Sequence, residues 1–269
     1  MVKPVAMTSL NKMTSLTKIA AFRRPVTINL ASRLAASHCE DCGARHIGIC
    51  EALSDEELAC LARAAQRISL SAGTLFIEEG EPATCFYSVD AGFIRLFKSM
   101  PDGRRQIIGF AGPGHFLGLG ASLCNVISAE AMEPVRLCRF SRATLQAVFE
   151  ELPQLERKLL EVAMHELVLG QQQMLLLGRK TAVERIASFL LAWAERQGLC
   201  AAGQLPLPNS TLSLPLSRTD LADYLGLTIE TVSRSLSALR RDGLISLPSI
   251  HEIILHRPRA ILDIAEAVP

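Results

Sequence analysis

Four of the eight cysteines supply the clearest chemistry in this chain. Three lie in the segment HCEDCGARHIGIC, where Cys39 and Cys42 form a CxxC pair and Cys50 follows after seven further residues. Thiolates spaced in this way can bind a metal, but three of them leave a four-coordinate site incomplete. Cys138, in the strand-like segment PVRLCRF, is predicted to complete the set. The spacing alone does not exclude zinc.

Other thiols and imidazoles compete for the same role. Cys124, in the segment GASLCNVI, is the alternative fourth ligand. The remaining cysteines, which we expect to be small buried apolar residues, are Cys60, Cys85 and Cys200. His38 and His46 lie near the first three thiols, but four thiolates need no further ligand, so we expect both imidazoles to be solvated.

A CxxC pair also occurs in thiol oxidoreductases, which are the enzyme alternative for this chain. In those proteins the pair opens a helix within a βαβ unit. Here Cys39 and Cys42 precede a series of strand-like segments, and the chain shows no glycine-rich phosphate loop, nucleophile elbow or pair of catalytic acids. The sequence therefore predicts that the protein is not an enzyme.

A second set of side chains has the chemistry to read DNA. In the segment SRTDLADYLGLTIETVSRSLSALRRDGLI, the helical period places one group of polar side chains outward, namely Glu230, Ser233, Arg234, Ser237 and Arg241. Arginine can pair with guanine, glutamate can accept from the cytosine amino group, and serine can reach a base or a phosphate. Phosphate contacts are expected from Arg218, Thr219, Arg240 and Arg241.

The elements that must position these residues form a helix-turn-helix. We predict a first helix over residues 217–225, a turn at Gly226, and a second helix capped by Thr228. The inward stripe of that second helix is Val232, Leu236 and Leu239. The alternating segment ISLPSIHEIIL predicts a β-hairpin wing. A solvated helix face is the alternative, which Glu230 alone would favour, but the whole pattern favours DNA binding.

The middle of the chain predicts an antiparallel roll or barrel. Ser54 and Glu57 form a capping box that starts a short helix after the cysteines. Turn signals then recur every ten or eleven residues, at Gly80-Glu81-Pro82, Asp90-Ala91-Gly92, Pro101-Asp102-Gly103 and Gly112-Pro113-Gly114. Short apolar, β-branched segments such as CFYSV, FIRLF and QIIGF lie between them, which is the pattern of short antiparallel strands.

A long helix after Pro153 carries a predicted dimer seam. Steps of three and four separate its members, which are Leu160, Ala163, Leu167, Gly170, Met174 and Leu177. A second copy of the chain is the natural partner. Packing within one chain is the alternative, and Leu159, Leu169 and Leu176 on the flanks favour it for part of the helix. Because Ala163 and Gly170 bury little surface, we expect a marginal dimer.

Composition bounds the remaining possibilities. The 269 residues are 49% apolar, enough for two modest domains and a core without disulfides. The first 38 residues are basic and are predicted to be disordered, although they distantly resemble a transit sequence. No signal peptide or membrane span is visible, so we expect a cytoplasmic protein with reduced thiols. The net charge of +1 means that any DNA-binding patch must be local.

The segments HCEDC, LLLGRKTAVERIASFL and DYLGLTIETVSR resemble the CRP/FNR family of bacterial transcription regulators, and in particular its oxygen-sensing FNR, FnrN and FixK-type branch. The resemblance covers nearly the whole chain from Cys39 onward. It implies that Glu230, Ser233 and Arg234 form the family's ExxSR motif, which reads a palindrome like TTGAT-N4-ATCAA. It also implies a homodimer, RNA polymerase as a partner, and a response to oxygen.

The same resemblance implies that a [4Fe-4S] cluster binds to Cys39, Cys42, Cys50 and Cys138, because VRLCRF occupies the position of the family's distant cysteine. Zinc is the alternative occupant. Two features depart from the enteric FNR pattern, namely the longer spacing before Cys50 and Gly170 at the position of an acid. Cyclic AMP is not expected, since no Arg or Lys lies between Arg105 and Arg136 to bind its phosphate.

The predicted architecture is therefore α+β, with a cyclic-nucleotide-binding-like β-roll, a long dimerisation helix and a C-terminal winged helix-turn-helix. The predicted segments are a disordered extension at 1–38, the cysteine loop at 39–54, the roll at 55–150, the dimerisation helix at 151–178 and the DNA-binding domain at 179–269.

Overall fold

The computed structural model describes residue 39, residues 42–119 and residues 122–267. The prediction of a disordered basic segment over residues 1–38 lies outside this described part. Within it, helices and antiparallel sheets follow one another in the predicted order of roll, long helix and winged helix-turn-helix. The α+β fold class is thus confirmed.

The roll consists of two four-stranded antiparallel sheets. Its strands are β1 (Gln66–Leu70), β2 (Leu75–Ile77), β3 (Cys85–Ala91), β4 (Ile94–Ser99), β5 (Arg105–Ala111), β6 (Phe116–Leu117), β7 (Ser128–Ala131) and β8 (Val135–Ser141). One sheet has the order β1-β8-β3-β6 and the other the order β2-β7-β4-β5. Val89, Ile94 and Leu137 are fully buried in the core of the roll. The regular spacing of turns therefore corresponds to a double-layered roll.

Two short helices precede the roll. A 3-10 helix (Gly48–Ala52) is followed by α1 (Asp55–Ala64). The predicted capping box is confirmed, because the Ser54 hydroxyl accepts from the Glu57 amide and the Glu57 carboxylate accepts from the Ser54 amide at 2.9 Å. Leu58 and Leu61 bury the inner face of α1 in a cluster that also contains the cysteine loop.

Two helices follow the roll. They are α2 (Arg142–Glu151) and the 27-residue α3 (Pro153–Arg179). Pro153 stands at the start of α3, where its missing N–H costs nothing. Leu155, Leu159 and Val162 pack the first turns of α3 against the same cluster as α1. No helix in the described ranges is long and apolar enough to cross a membrane.

The C-terminal unit contains the helix-turn-helix and its wing. Its elements are α4 (Ala182–Arg196), β9 (Ser210–Ser213), α5 (Arg218–Leu225), α6 (Ile229–Arg241), β10 (Ile245–Ser249), β11 (Glu252–Leu255) and α7 (Pro258–Ala265). The predicted wing hairpin pairs β10 with β11, and β9 extends it to three strands. Gly226 ends α5 with φ of 61°, a left-handed conformation that glycine adopts without strain.

The roll and the C-terminal unit share one hydrophobic core. The ring of Phe110 on β5 lies 5.4 Å from that of Trp193 on α4 and 5.0 Å from that of Tyr224 on α5. Phe93 also stacks near Trp193, at 5.4 Å. Arg196 donates to the Phe110 carbonyl at 2.6 Å. The two units predicted from sequence as separate domains are therefore packed together within one chain.

Candidate functional site: DNA-reading helix and cysteine cavity

The second helix of the helix-turn-helix, α6, presents its polar side chains outward. Thr228 caps it by accepting from the Thr231 amide at 3.2 Å. Val232, Leu236 and Leu239 are at most 1% exposed, as the predicted inward stripe requires. The predicted outward residues are all exposed, namely Glu230, Ser233, Arg234, Ser237 and Arg241. The local sequence thus builds a rigid helix with one free polar face.

Local hydrogen bonds lower the pKa of Glu230 at that face. Hydrogen bonds from its own backbone amide and from the Thr228 hydroxyl, together with the nearby charge of Arg234, lower the pKa of the Glu230 carboxyl. A carboxylate can accept a hydrogen bond from the cytosine amino group. Glu230 and Arg234 stand one helical turn apart, so both can approach neighbouring bases from one face.

The predicted phosphate contacts differ in exposure. Thr219, Arg240 and Arg241 are exposed, whereas Arg218 is half-buried at the start of α5, where burial lowers the pKa of its guanidinium. The tip of the wing carries Ile250, which is 71% exposed and which the sequence did not single out. Contact of any of these side chains with DNA remains a prediction.

The four predicted cysteines line a single cavity. Cys39, Cys42 and Cys50 come from the cysteine loop (residues 39–50), and Cys138 comes from β8, whose backbone pairs with β1 and β3 at this position. Cys124, the alternative, is exposed and lies at a different cavity. The other wall of the cysteine cavity is largely apolar, with Leu58, Leu61, Ala62, Ala65 and Phe140.

The remaining cysteines do not share this cavity. Cys85 is buried as predicted, but Cys60 and Cys200 are only half-buried. Cys60 lies on α1 and its thiol donates to the Glu151 carboxylate at 3.5 Å. The prediction that all three are buried is therefore wrong for Cys60 and Cys200. His46 is exposed, as expected.

Backbone contacts hold the cysteine loop on the roll. The Gly43 amide donates to Asp90 Oδ1 at 3.0 Å, and a Cβ at position 43 would press against the Asp90 carbonyl oxygen. Gly48, with φ of 68°, touches the Gly114 carbonyl so closely that no side chain would fit. Arg136 completes the site by donating to Asp90 Oδ2 at 2.8 Å.

Burial in this cavity favours protonated thiols. It raises the pKa of Cys42 to about 11, and burial together with the charges of the neighbouring cysteines raises the pKa of Cys50 to about 12. Burial also raises the pKa of Cys39 and Cys138. Metal ligation requires thiolates, so it must release protons here. The cavity encloses about 30 Å³, which is room for about two water molecules.

The long helix α3 exposes an apolar stripe. Of the predicted seam, Leu160, Leu167 and Met174 are 62%, 63% and 67% exposed. Ala163 is half-buried, Gly170 is exposed, and Leu177 is half-buried against Gly226 of its own chain. Further exposed apolar side chains continue the stripe, namely Met164, Val168 and Leu175. The exposed apolar face of α3 is thus rotated slightly from the predicted seam. Leu159 and Leu176 pack inward, as expected.

A separate cavity of about 550 Å³ lies between the roll and α3. Its lining is mostly apolar, and it includes the charged or titratable side chains His115, Glu166 and Arg196. Arg196 comes from α4 and already donates to the Phe110 carbonyl. The part of the roll that lines the cavity contains no Arg or Lys between Arg105 and Arg136.

Comparisons with known proteins match both halves of the chain. A family model described as a Crp-like helix-turn-helix domain matches residues 184–264, and one described as a cyclic nucleotide-binding domain matches residues 67–151. The chain is 43% identical over 225 residues to the nitrogen fixation regulation protein FixK of Bradyrhizobium diazoefficiens, covering 84% of this chain and 90% of that protein.

Two further comparisons agree. The transcriptional activator protein FnrL of Cereibacter sphaeroides is 39% identical over 219 residues, which cover 81% of this chain and 87% of that protein. The solved structure of FixK2 from Bradyrhizobium japonicum is similar with a TM-score of 0.68 and 36% identity, covering 76% of this chain and 99% of that one.

Proposed function

Because the chain belongs to the CRP/FNR family of transcription regulators, we propose that it is an oxygen-responsive regulator that binds a TTGAT-N4-ATCAA-like palindrome as a homodimer. Family membership itself makes it a DNA-binding transcription regulator and not an enzyme. The oxygen response is the finer part of the proposal, and it depends on a [4Fe-4S] cluster bound by Cys39, Cys42, Cys50 and Cys138.

One observation carries the proposal. Thiols from the cysteine loop and from β8, almost ninety residues apart, line one cavity next to the helix that exposes the apolar stripe. When bound, a [4Fe-4S] cluster supplies a redox centre that oxygen can attack, and four cysteine thiolates are its usual ligands. The donor set of this cavity, four thiols within a largely apolar wall, fits that group.

The chain connects the cavity to α3 by direct contacts. Cys39, Cys50 and Cys138 pack in the same cluster as Leu155 and Leu159 of α3. Lys158 on α3 pairs with Glu51, the residue after Cys50, at 3.0 Å. A change in the cysteine loop therefore acts on the first turns of α3, whose exposed stripe would pair with a second copy and set two recognition helices about 34 Å apart.

In this proposal only the family likeness favours a cluster over zinc. Tetrahedral zinc with Zn–S bonds of about 2.3 Å requires sulfurs about 3.8 Å apart. Among the described residues, no group of three or more His, Cys, Asp or Glu side chains could hold a metal ion as placed. Ligation of either a zinc ion or a cluster would therefore require the thiols to move from this placement.

The test is an anaerobic preparation of the full-length chain. We expect visible absorption, about four iron and four sulfide per chain, and binding to the palindrome that is lost in air. A colourless protein that contains one zinc and binds DNA equally with and without oxygen would overturn the cluster while leaving DNA binding intact.

Cysteine variants identify the fourth ligand. Cys138→Ser should prevent cluster assembly, because it removes the only ligand on β8. Cys124→Ser is the matched control, since its thiol is exposed and lies at another cavity; it should retain full iron content. Loss of the cluster in the control alone would show that the fourth ligand is misassigned.

Two consequences follow for partners and location. A relative named as a transcriptional activator supports RNA polymerase as a partner, which we include in the proposal. The relatives are bacterial, and a regulator of this class acts on the chromosome, so we also propose a cytoplasmic location.

A further inference from the structure

An ion-pair network joins the roll to the first helix of the helix-turn-helix. Arg95 Nη1 on β4 lies 2.8 Å from Asp220 Oδ1 on α5, and Arg105 Nη2 on β5 lies 3.0 Å from the same oxygen. Arg105 also donates to Asp223 Oδ2 through Nε at 3.1 Å and Nη2 at 2.9 Å. Gln106 donates to the Asp223 carbonyl at 2.6 Å. Strand and helix are thus connected by side chains more than 100 residues apart.

Burial makes this network more than a surface contact. The Asp220 side chain is 6% exposed, and those of Arg105 and Asp223 are 24% exposed. Asp220 also closes the capping box of α5 by accepting from the Ser217 amide at 3.0 Å. The Asp220 carboxylate therefore both binds α5 to the roll and caps the first turn of α5, next to Arg218 and Thr219. A buried carboxylate in this position is costly unless its arginine partners stay in place.

The covalent connection between α3 and the C-terminal unit is short. Lys180, in an extended conformation, separates α3 from Thr181, the cap of α4. Arg185 braces this joint by donating to the Leu177 carbonyl at 2.9 Å and the Leu225 carbonyl at 2.7 Å. The ion-pair network binds α5 at Asp220 and Asp223, nearer its start, so α5 is held both at the joint and against the roll.

The docked arrangement leaves the DNA-reading face free. The roll contacts α5 through Asp220, Asp223 and Tyr224, whereas Glu230, Ser233 and Arg234 on α6 remain exposed. Docking is therefore compatible with DNA binding. It fixes the orientation of α6 relative to α3, the helix that would join the two copies.

We propose that the network of Arg95, Arg105, Asp220 and Asp223 determines which half-site spacing the dimer accepts. This rests on the proposed palindrome binding. Once one recognition helix has bound its half-site, the second helix binds the other half-site intramolecularly. If the two helices are rigidly connected, the effective concentration of the second is high only when the half-site spacing matches the distance between the helices. A loosened C-terminal unit keeps its affinity for a single half-site but loses discrimination between spacers.

The experiment compares Arg105→Gln with the full-length parent, both prepared without air. Dissociation constants are measured for a single half-site and for palindromes with spacers of three, four and five base pairs. In Arg105→Gln we expect unchanged half-site affinity and roughly tenfold weaker preference for the four-base-pair spacer, equivalent to about 1.4 kcal/mol. Arg104→Gln is the matched control, because Arg104 pairs with Asp102 in its own exposed turn at 2.8 Å.

A charge exchange separates geometry from general destabilisation. Arg105→Asp alone should lower the spacer preference further, and Arg105→Asp combined with Asp223→Arg should restore much of it. Asp220 is left intact because it caps α5. Spacer preference that is unchanged in both Arg105 variants would overturn this inference alone. A parent protein that binds the palindrome no better than random DNA would overturn the proposed function, and this inference with it.

Discussion

Arg234 is the side chain on which the proposed sequence-specific reading depends most directly. It lies on the exposed face of α6, one turn after Glu230. An acid placed one turn before a base stabilises a helix by a few tenths of a kcal/mol. The two side chains therefore lie on one exposed face of α6.

Replacing Arg234 with Ala should abolish the preference for the palindrome over random DNA. We expect a loss of about 1–3 kcal/mol of discrimination, as for a base-reading arginine. Arg240→Ala is the matched control, since Arg240 is exposed at the end of α6 and is predicted to contact phosphate. It should weaken binding to all sequences about equally, which equilibrium titrations at two salt concentrations would show. Equal discrimination in parent and Arg234→Ala would mean that α6 does not read bases through this residue.

The helix-turn-helix could be predicted because its signals are local, whereas the choice of Cys138 depended on the family resemblance and stays a prediction. The caps, the turn glycine and the buried stripe of α6 all lie within a few positions of one another. Partners such as Arg105 and Asp223 could not be found in this way. Charged residues on a strand and a helix more than 100 positions apart are typical of solvated faces until the fold brings them together.

At the scale of single elements, α3 shows why the predicted seam needed adjustment. The helix is apolar on two sides, and the sequence does not indicate which side packs within its own chain. In the structure Leu159 and Val162 face the cysteine cluster, while Met164 and Val168 join Leu160 and the rest of the exposed stripe. A 3.6-residue period drifts from a strict heptad seam over a helix of this length.

Met164→Glu should therefore disrupt dimer formation. Met164 is 61% exposed in a single chain. A dimer would bury one Met164 side chain from each copy, and each would stabilise the dimer by roughly 1.5–3 kcal/mol. We expect the dimer to weaken by at least about 100-fold, measured by sedimentation of the anaerobic protein. Gln172→Glu, exposed on α3 outside the stripe, adds the same charge and should leave the dimer intact. Equal sedimentation of both variants would place the interface elsewhere.

Across the whole molecule, the cysteine cavity, α3 and the C-terminal unit form one continuous series of contacts. Glu51 and Lys158 connect the cysteine loop to α3, and Arg185 connects the end of α3 to α5. The proposed effect of the cavity on DNA binding would follow this series of contacts. Gly43 and Gly48 hold the cysteine loop against the roll.

Hydrogen exchange can follow this connection in the full-length protein. On exposure of the anaerobic protein to air, we expect faster amide exchange in residues 42–52 and 153–162. Exchange within α6 should stay constant, because its core contacts do not involve the cavity. Iron analysis of the same samples shows whether the proposed cluster has been lost. Unchanged exchange in residues 153–162 after cluster loss would exclude α3 as the route.

The core that the roll shares with the C-terminal unit has a consequence for modular exchange between relatives. Phe93 and Phe110 of the roll pack against Trp193 and Tyr224, so a chimera joined at Lys180 would place foreign aromatic surfaces against each other. A segment that can be exchanged between relatives must therefore be larger than the helix-turn-helix. It includes the faces of β4 and β5, and regulators of this kind should diversify their sensors and DNA readers in concert.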